Sequence, residues 1–498
     1  MQLFTPWTAG GEVTGRPPPG GRRPPVVAVV GGGIAGLASA LALADAGVEV
    51  VLLEAGDRLG GKILTEDFAG VPVEAGPDAF GARVPHAVRL CERLGLGDQL
   101  VSPTTGEASL WVGGRLRRLP AGTVLGVPTR LGSLVRSGIL SPLGLVRAGL
   151  DLALPATPAG ADPSVTALVR RRMGAQVADR LVAPLVGGIN AGRAEVLSAA
   201  AVAPALDAAA RRSRSLVLGL RRPAPAAPAI TSPIPPAPAI TEERPAFLTH
   251  RAGLSAVVGA IAAELGGMPH AELRTEAPVT ALQRVGDRWS LDTLQGPVVA
   301  DGLVLAVPAF VAGVLLAPHA PEAGRLLDQI NYASVALVAL AYPDSALRQP
   351  LQGTGFLVPA GEGRTVTAVT FTSRKWAHAS SQHRTTLFRA SVGRWGDSRH
   401  QGLGDFDLVS VVAAELGEAL GLRGGPERWR VSRWPRSFPQ YEVGHLARVA
   451  AVEASVHGLP ALALAGAAYR GIGIPACIAS GQAAAAALRG ALGWHGEE

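Results

Sequence analysis

Lysine, cysteine and aromatic residues are all scarce in this 498-residue chain. The two cysteines, Cys91 and Cys477, are too few for a disulfide framework, and no Cys/His set has zinc spacing. His378 and His383 come nearest to a pair, but their separation is not a helix-face ligand pattern, so no metal is expected. Only two lysines occur, Lys62 and Lys375; the other basic residues behind the net charge of +7 are arginine. With abundant Ala, Gly and Pro this is the coding bias of a GC-rich bacterial genome. No run of bases is interleaved with aromatics, so the charge does not point to nucleic acid. Outside 26–44, no uncharged apolar run reaches the ~18 residues of a membrane span, which predicts a soluble, cytoplasmic protein. A hydrophobic content of 48% against 17% charge predicts a large interior, and the length predicts two or three domains.

The strongest local signal is 26–55, VVAVVGGGIAGLASALALADAGVEVVLLEA. Five apolar residues, 26–30, predict a buried parallel strand. Gly31, Gly33 and Gly36 follow in G-x-G-x-x-G order with Gly32, Ile34 and Ala35 between them, and a helical apolar pattern runs from Ile34 to about Ala46. Gly47 ends that helix, and 48–53 predict a second buried strand leading to Glu54 and Ala55. Gly31 then makes a tight turn, Gly33 lets backbone approach a pyrophosphate, and Gly36 lets helix pack on strand. The helix N-terminus offers phosphates its free N–H groups and positive dipole end. Glu54 stands where an acid bonds ribose hydroxyls, which favours FAD or NAD over NADP. Arg22-Arg23 before the apolar run imitates a secretory or twin-arginine signal. Three consecutive glycines phased to Glu54 favour the dinucleotide reading.

Beyond Glu54, Arg58-Leu59-Gly60-Gly61-Lys62 extends the motif to E-A-x-x-R-x-G-G-K. This resembles the FAD signature of the flavin amine oxidase and protoporphyrinogen oxidase superfamily. The resemblance implies that Glu54 holds the adenosine ribose and that Arg58 and Lys62 lie along the diphosphate. It also implies that the turn Gly76-Pro77-Asp78-Ala79 passes close to the flavin. The segment 171–204, RRMGAQVADRLVAPLVGGINAGRAEVLSAAAVAP, resembles the porphyrinogen oxidases, with Asn190 replacing the usual tyrosine and Arg193 the usual acid. GRLRRLPAGTVLGVPT (114–129) resembles their Gram-positive branch. W-x-x-x-x-P-Q-Y-x-x-G-H, from Trp434 to His445, resembles the same family, where the tryptophan lines the flavin. YRGIGIPACIASGQ (469–482) is similar to the family's second glycine turn. Gly466, Ile472, Gly473 and Ile474 are therefore expected near the flavin, and Val279 against the adenine. Cys477 falls past that turn within a predicted helix, so FAD is expected to be non-covalent. Arg470 and Ala476 replace a common glutamate and aspartate.

Two residue sets keep alternative readings. Arg115, Arg117 and Arg118 either bind substrate carboxylates, which guanidinium pairs with in bidentate fashion, or belong to a solvated edge strand. His445 either turns a loop or acts as a base; no catalytic residue is assigned. The resemblance implies an α/β fold, with a Rossmann-like FAD-binding domain of the amine-oxidase type, an inserted β-rich substrate domain and a helical lobe. The expected division is a disordered extension over 1–25 and FAD-binding segments at 26–85, 245–310 and 431–490. Between them come a substrate-covering helical lobe at 86–222 with a strand at 108–119, a Pro-rich linker at 223–244 and the substrate domain at 311–430; a tail follows at 491–498. The implied activity is FAD-dependent oxidation of coproporphyrinogen III to coproporphyrin III in haem biosynthesis, with dioxygen as acceptor and hydrogen peroxide as product. Protoporphyrinogen IX oxidase, carotenoid desaturase or amine oxidase, and a non-catalytic flavin-binding protein are the alternatives. In the resembled family the helical lobe touches the membrane surface; whether it does so here, whether a downstream haem-synthesis enzyme docks, and the oligomeric state stay open.

Overall fold

The computed structural model describes residues 23–155, 162–221, 245–380 and 384–495. The expected linker at 223–244, His383 and all but the last residues of the N-terminal extension lie outside the described residues.

A five-stranded parallel sheet organises the molecule, in spatial order Ala271–Arg274, Glu49–Leu53, Val26–Val30, Gly302–Leu305 and Leu462–Leu464. Alternation along Val26–Val30 sends Val27 and Val29 into one core and Ala28 and Val30 into another. Both faces are covered, which is why the strand reads as an unbroken apolar run. Helices Ile34–Ala44, Ser255–Gly266 and Ile474–Ala491 cover the first face through Leu37, Leu41, Ile261, Ile478 and Leu488. A three-stranded meander, Val279–Val285, Arg288–Thr293 and Val298–Ala300, covers the other with helices Ala309–Leu316, Pro321–Asp328 and His445–Val456.

A second, seven-stranded sheet runs Arg428–Pro439, Tyr332–Pro343, Thr385–Val392, Val366–Phe371, Gly355–Leu357, Ser109–Val112, Arg115–Arg118. It packs helix Asp405–Leu420 against one face through Leu408, Val412 and Leu416. The short helices between Leu131 and Arg221 enclose a separate core that includes Leu168, Leu181, Leu206 and Leu216.

Three features differ from the sequence division. Helix Pro85–Arg93 stops well short of residue 100 and buries Ala87, Val88, Leu90 and Cys91 in the dinucleotide core, not in the helical lobe. The hairpin Ser109–Val112/Arg115–Arg118 joins the seven-stranded sheet, where Phe356 and Leu357 pair with Ser109 and Leu110. Strand Arg428–Pro439, which carries Trp434, also belongs to that sheet and crosses the expected boundary at 431. Local pattern identifies each element, but long-range pairing decides which layer receives it. Two helical stretches of the lobe, 131–149 and 165–190, are each interrupted. Gly138 (φ 62°) and Pro142 divide the first, and Gly174 (φ 88°) divides the second.

Candidate cofactor and substrate site

Gly31, Gly32 and Gly33 lead from the first strand into helix Ile34–Ala44, with Gly33 as N-cap. A Cβ on Gly36 would stand 1.9 Å from the Gly31 carbonyl oxygen, so only glycine lets this turn of helix close on the loop. A Cβ on Gly33 would meet nothing within 4 Å, so that face is open. Ile34 and Ala35 are buried in the helix's first turn. Glu54 ties two loops together. Its Oε2 accepts from Gly32 N at 2.6 Å, and its Oε1 from Gly56 N at 2.8 Å. Its carbonyl accepts from Ala277 N at 2.8 Å, which brings the segment leading to Val279 alongside; Ala55 is exposed.

Arg58, expected along a diphosphate, is engaged by its own loop. Its guanidinium donates to the carbonyls of Leu59 (3.2 Å), Gly61 (2.6 Å) and Ile63 (3.1 Å). The loop's left-handed Gly60 and Gly61 turn these acceptors inward, and Arg58 satisfies them. Lys62 is exposed to solvent, yet desolvation by the surrounding protein holds its pKa below the ordinary lysine value.

The turn from Glu74 to Ala79 is fixed from several directions. A Cβ on Gly76 would stand 2.0 Å from the Lys62 carbonyl oxygen. Trp434 donates its indole N–H to Ala75 O at 2.6 Å, and Arg389 donates to Glu74 O (3.1 Å) and Gly76 O (3.0 Å). Asp78 pairs with Lys375 at 2.8 Å, while Pro77 and Ala79 are half-buried. Burial alone would raise the Asp78 pKa, but Lys375 and Arg389 override it and hold the carboxyl well below the usual range. Glu74 accepts from Leu254 N (2.6 Å) and the Thr65 hydroxyl (3.0 Å), and burial pushes its pKa up to about 7 from 4.5.

The raised Glu74 pKa gives a signed prediction. Because the folded state binds this proton more tightly, the associated stability is present below pH 4.5 and lost as pH rises through about 7. Glu74→Gln should therefore gain on the natural protein across that window, by up to about 3 kcal/mol above it. Denaturant unfolding at several pH values measures the difference; a difference independent of pH would contradict the assignment.

A third turn, Gly466 to Ile474, sits against the first. Gly466 N bonds Ser480 Oγ at 2.9 Å, and Gly473 caps the helix that starts at Ile474. Ile472 is half-buried and Gly473 exposed. Tyr441 spans this turn: its hydroxyl donates to Ala467 O at 2.6 Å and accepts from Gly471 N at 2.8 Å. His445, fully buried, stacks on Tyr441 with centroids 3.9 Å apart and bonds Tyr469 O through Nε2 at 2.8 Å. Burial pushes its pKa down to about 4, so it is neutral at pH 7 and donates through Nε2. These contacts brace the loop. Tyr441→Phe should raise the flavin dissociation constant about tenfold while leaving the fold intact; fluorescence titration of apoprotein with FAD checks this, and an unchanged constant would contradict the bracing role.

The model for the family described as flavin containing amine oxidoreductase matches residues 34–489. The chain belongs to that family. Among its relatives, the coproporphyrinogen III oxidase of Bacillus subtilis strain 168 is 34% identical over 460 residues, covering 91% of this chain and 95% of that one. The protoporphyrinogen oxidase of Bos taurus is 32% identical, covering 92% and 97%. A solved structure from Exiguobacterium sp. 255-15, assigned provisionally as a protoporphyrinogen oxidase, superposes with a TM-score of 0.81 at 31% identity, covering 94% and 99%.

This flavin-containing amine oxidoreductase has the donor set its FAD requires. The Gly33 face is open, a helix N-terminus lies behind it, and Lys62 is a partly desolvated cation on the following loop. The glycine turn, Glu54, Lys62 and the two later turns would hold the cofactor. Cys477 is buried within the C-terminal helix, with its thiol pushed up to about 11 by burial, an environment that suppresses the reactive thiolate. The arginine trio does not converge. Arg115 and Arg118 are exposed on the sheet's outermost strand, and Arg118 bonds Gln352 at 2.7 Å. Arg117 lies within 2.8 Å of where a Cβ on Gly138 would stand, beside the helical lobe. Among the described residues, no group of three or more His, Cys, Asp or Glu could hold a metal ion. Sequence reading missed Arg389, Lys375 and the bracing role of Tyr441. It also missed Gly481, where a Cβ would stand 2.1 Å from Ala35 O. The Gln440-Tyr441 pair inside the motif was the only available signal for any of them.

Proposed function

We propose that the chain oxidises coproporphyrinogen III to coproporphyrin III, with dioxygen as acceptor and hydrogen peroxide as product. The observation that carries this reading is the 34% identity to the Bacillus subtilis enzyme along nearly the whole of both chains. The bound flavin supplies hydride acceptance and reoxidation by dioxygen. The protein's share is orientation and exclusion of water. Arg389, Lys375 and Trp434 fix one turn of the site, and Tyr441 with His445 fixes another. No side chain need act as a base on this account. The deciding experiment supplies purified protein with coproporphyrinogen III and, separately, protoporphyrinogen IX in air, and follows porphyrin fluorescence. The proposal expects faster oxidation of coproporphyrinogen; preference for protoporphyrinogen would keep the family and overturn the substrate.

A peripheral contact with an anionic membrane surface belongs to the same proposal. Val135, Leu143, Val146 and Leu150 are exposed on short helices of the lobe, near exposed Arg136. Among the described residues no helix is long and apolar enough to cross a membrane. Co-sedimentation with anionic vesicles, reduced in Leu143→Asp, is the expected result; equal sedimentation of both proteins would contradict it.

A further inference from the structure

The turn around Ala191, in the lobe, meets the turn Gly393–Asp397, at the end of a central strand of the seven-stranded sheet. Trp395 N donates to Ala191 O at 2.7 Å. Arg193 Cδ lies 3.2 Å from where a Cβ on Gly396 would stand. Trp395 packs on the same small apolar cluster as Trp434, formed around Ala191, Ala333 and Val335. The cluster thus links the turn that carries Arg394 to Trp434, the side chain that fixes the Ala75 turn.

Neither arginine has a tight carboxylate partner. Asp397, beside Arg394, is taken by Arg399, which binds both its oxygens at 2.9 and 2.7 Å. Glu195 stands 3.9 Å from Arg193. The Arg394 Nε is buried without a hydrogen-bond partner, and no ion pair forms at its guanidinium among the described residues. Burial lowers the Arg394 pKa, with Asp397 and Glu195 only partly offsetting it. Arg394 is half-buried, and its enclosed Nε–H is left without an acceptor, which favours a ligand that brings a counter-charge. Arg193 adds a second cation where the resembled family pattern carries an acid.

We propose that Arg394, with Arg193 from across the same turn, binds a carboxylate arm of the substrate. The proposal rests on the porphyrinogen reading above and deepens it. It makes this junction, and not Arg115, Arg117 and Arg118, the point that distinguishes a tetracarboxylate tetrapyrrole from one with fewer acid arms.

The test measures equilibrium binding of coproporphyrin III, and of its tetramethyl ester, to the flavin-loaded protein by porphyrin fluorescence. Arg394→Gln should weaken the acid about tenfold or more and leave the ester unchanged. Arg193→Gln should weaken the acid less, and Arg394→Lys should retain part of the affinity. In turnover, Arg394→Gln should raise KM for coproporphyrinogen III with kcat nearly unchanged. Equal affinities of natural protein and Arg394→Gln for the acid would overturn the proposal, as would equal losses for acid and ester. Should Arg394→Gln fold poorly, the salt dependence of acid binding to the natural protein and to Arg193→Gln decides. The proposal expects affinity to fall with salt, less steeply in the variant, and identical slopes would overturn it. If the natural protein bound neither porphyrin, the functional reading itself would fail and take this inference with it.

Discussion

Gly36→Ala leaves the protein without its flavin. The added methyl would stand 1.9 Å from the Gly31 carbonyl oxygen, a backbone atom with no freedom to withdraw. The helix must then move off the loop, and both the phosphate-facing N–H groups and the helix-on-sheet packing move with it. Purified Gly36→Ala should show little flavin absorbance per protein and a lowered melting temperature. Gly33→Ala makes the informative contrast. Its methyl would meet no protein atom within 4 Å, so stability should hold while flavin is still lost, because the methyl occupies the open face. Full flavin content in either variant would contradict the assignment of this turn.

Asp151→Ala unfolds the helical lobe. The Asp151 carboxylate is fully buried and accepts from Arg172 Nε (3.0 Å), Ser215 Oγ (2.6 Å), Leu216 N (3.1 Å) and Val217 N (3.0 Å). Arg172, 3% exposed, returns a bond to Asp151 O at 2.9 Å and another to Pro155 O. Removing the carboxylate leaves a buried guanidinium and two backbone N–H groups uncompensated, a loss of about 3–5 kcal/mol. The lobe has its own core, so the loss should be local. Hydrogen exchange should rise across residues 131–221 and stay low in strands Val26–Val30 and Gly302–Leu305. An unchanged exchange pattern would contradict the role given to this pair.

The reach of the sequence follows the range of each interaction. Gly31 to Glu54 form a continuous motif, so the first strand, the helix and the second strand were all readable to within a few residues. Tyr332–Pro343, a long and almost wholly apolar run, carries an equally local signal. Strand Arg428–Pro439 was not assigned to its sheet, because its polar string RWRVSRWPRSFP acquires meaning only when Val335 pairs with Trp434. Arg58 shows a subtler limit. The motif puts a cation on the loop, but whether its guanidinium faces a ligand or the loop's own carbonyls depends on backbone torsions at Gly60 and Gly61. Asp151 and Arg172 lie on separate short helical segments and carry no joint signal. Arg389 reaches Glu74 and Gly76 from a distant strand, and nothing local announces it. His445 was legible as a loop-turning residue, and its stacking on Tyr441 supplies the physical reason.

The most direct test of the account is the ratio of hydrogen peroxide released to porphyrin formed, measured together in air with coproporphyrinogen III. Six hydrogens leave the substrate as three pairs, so the account predicts about three peroxides per coproporphyrin, at a rate well above the protein-free control and dependent on bound flavin. Porphyrin formation without matching peroxide, or at the control rate with flavin in place, would contradict it.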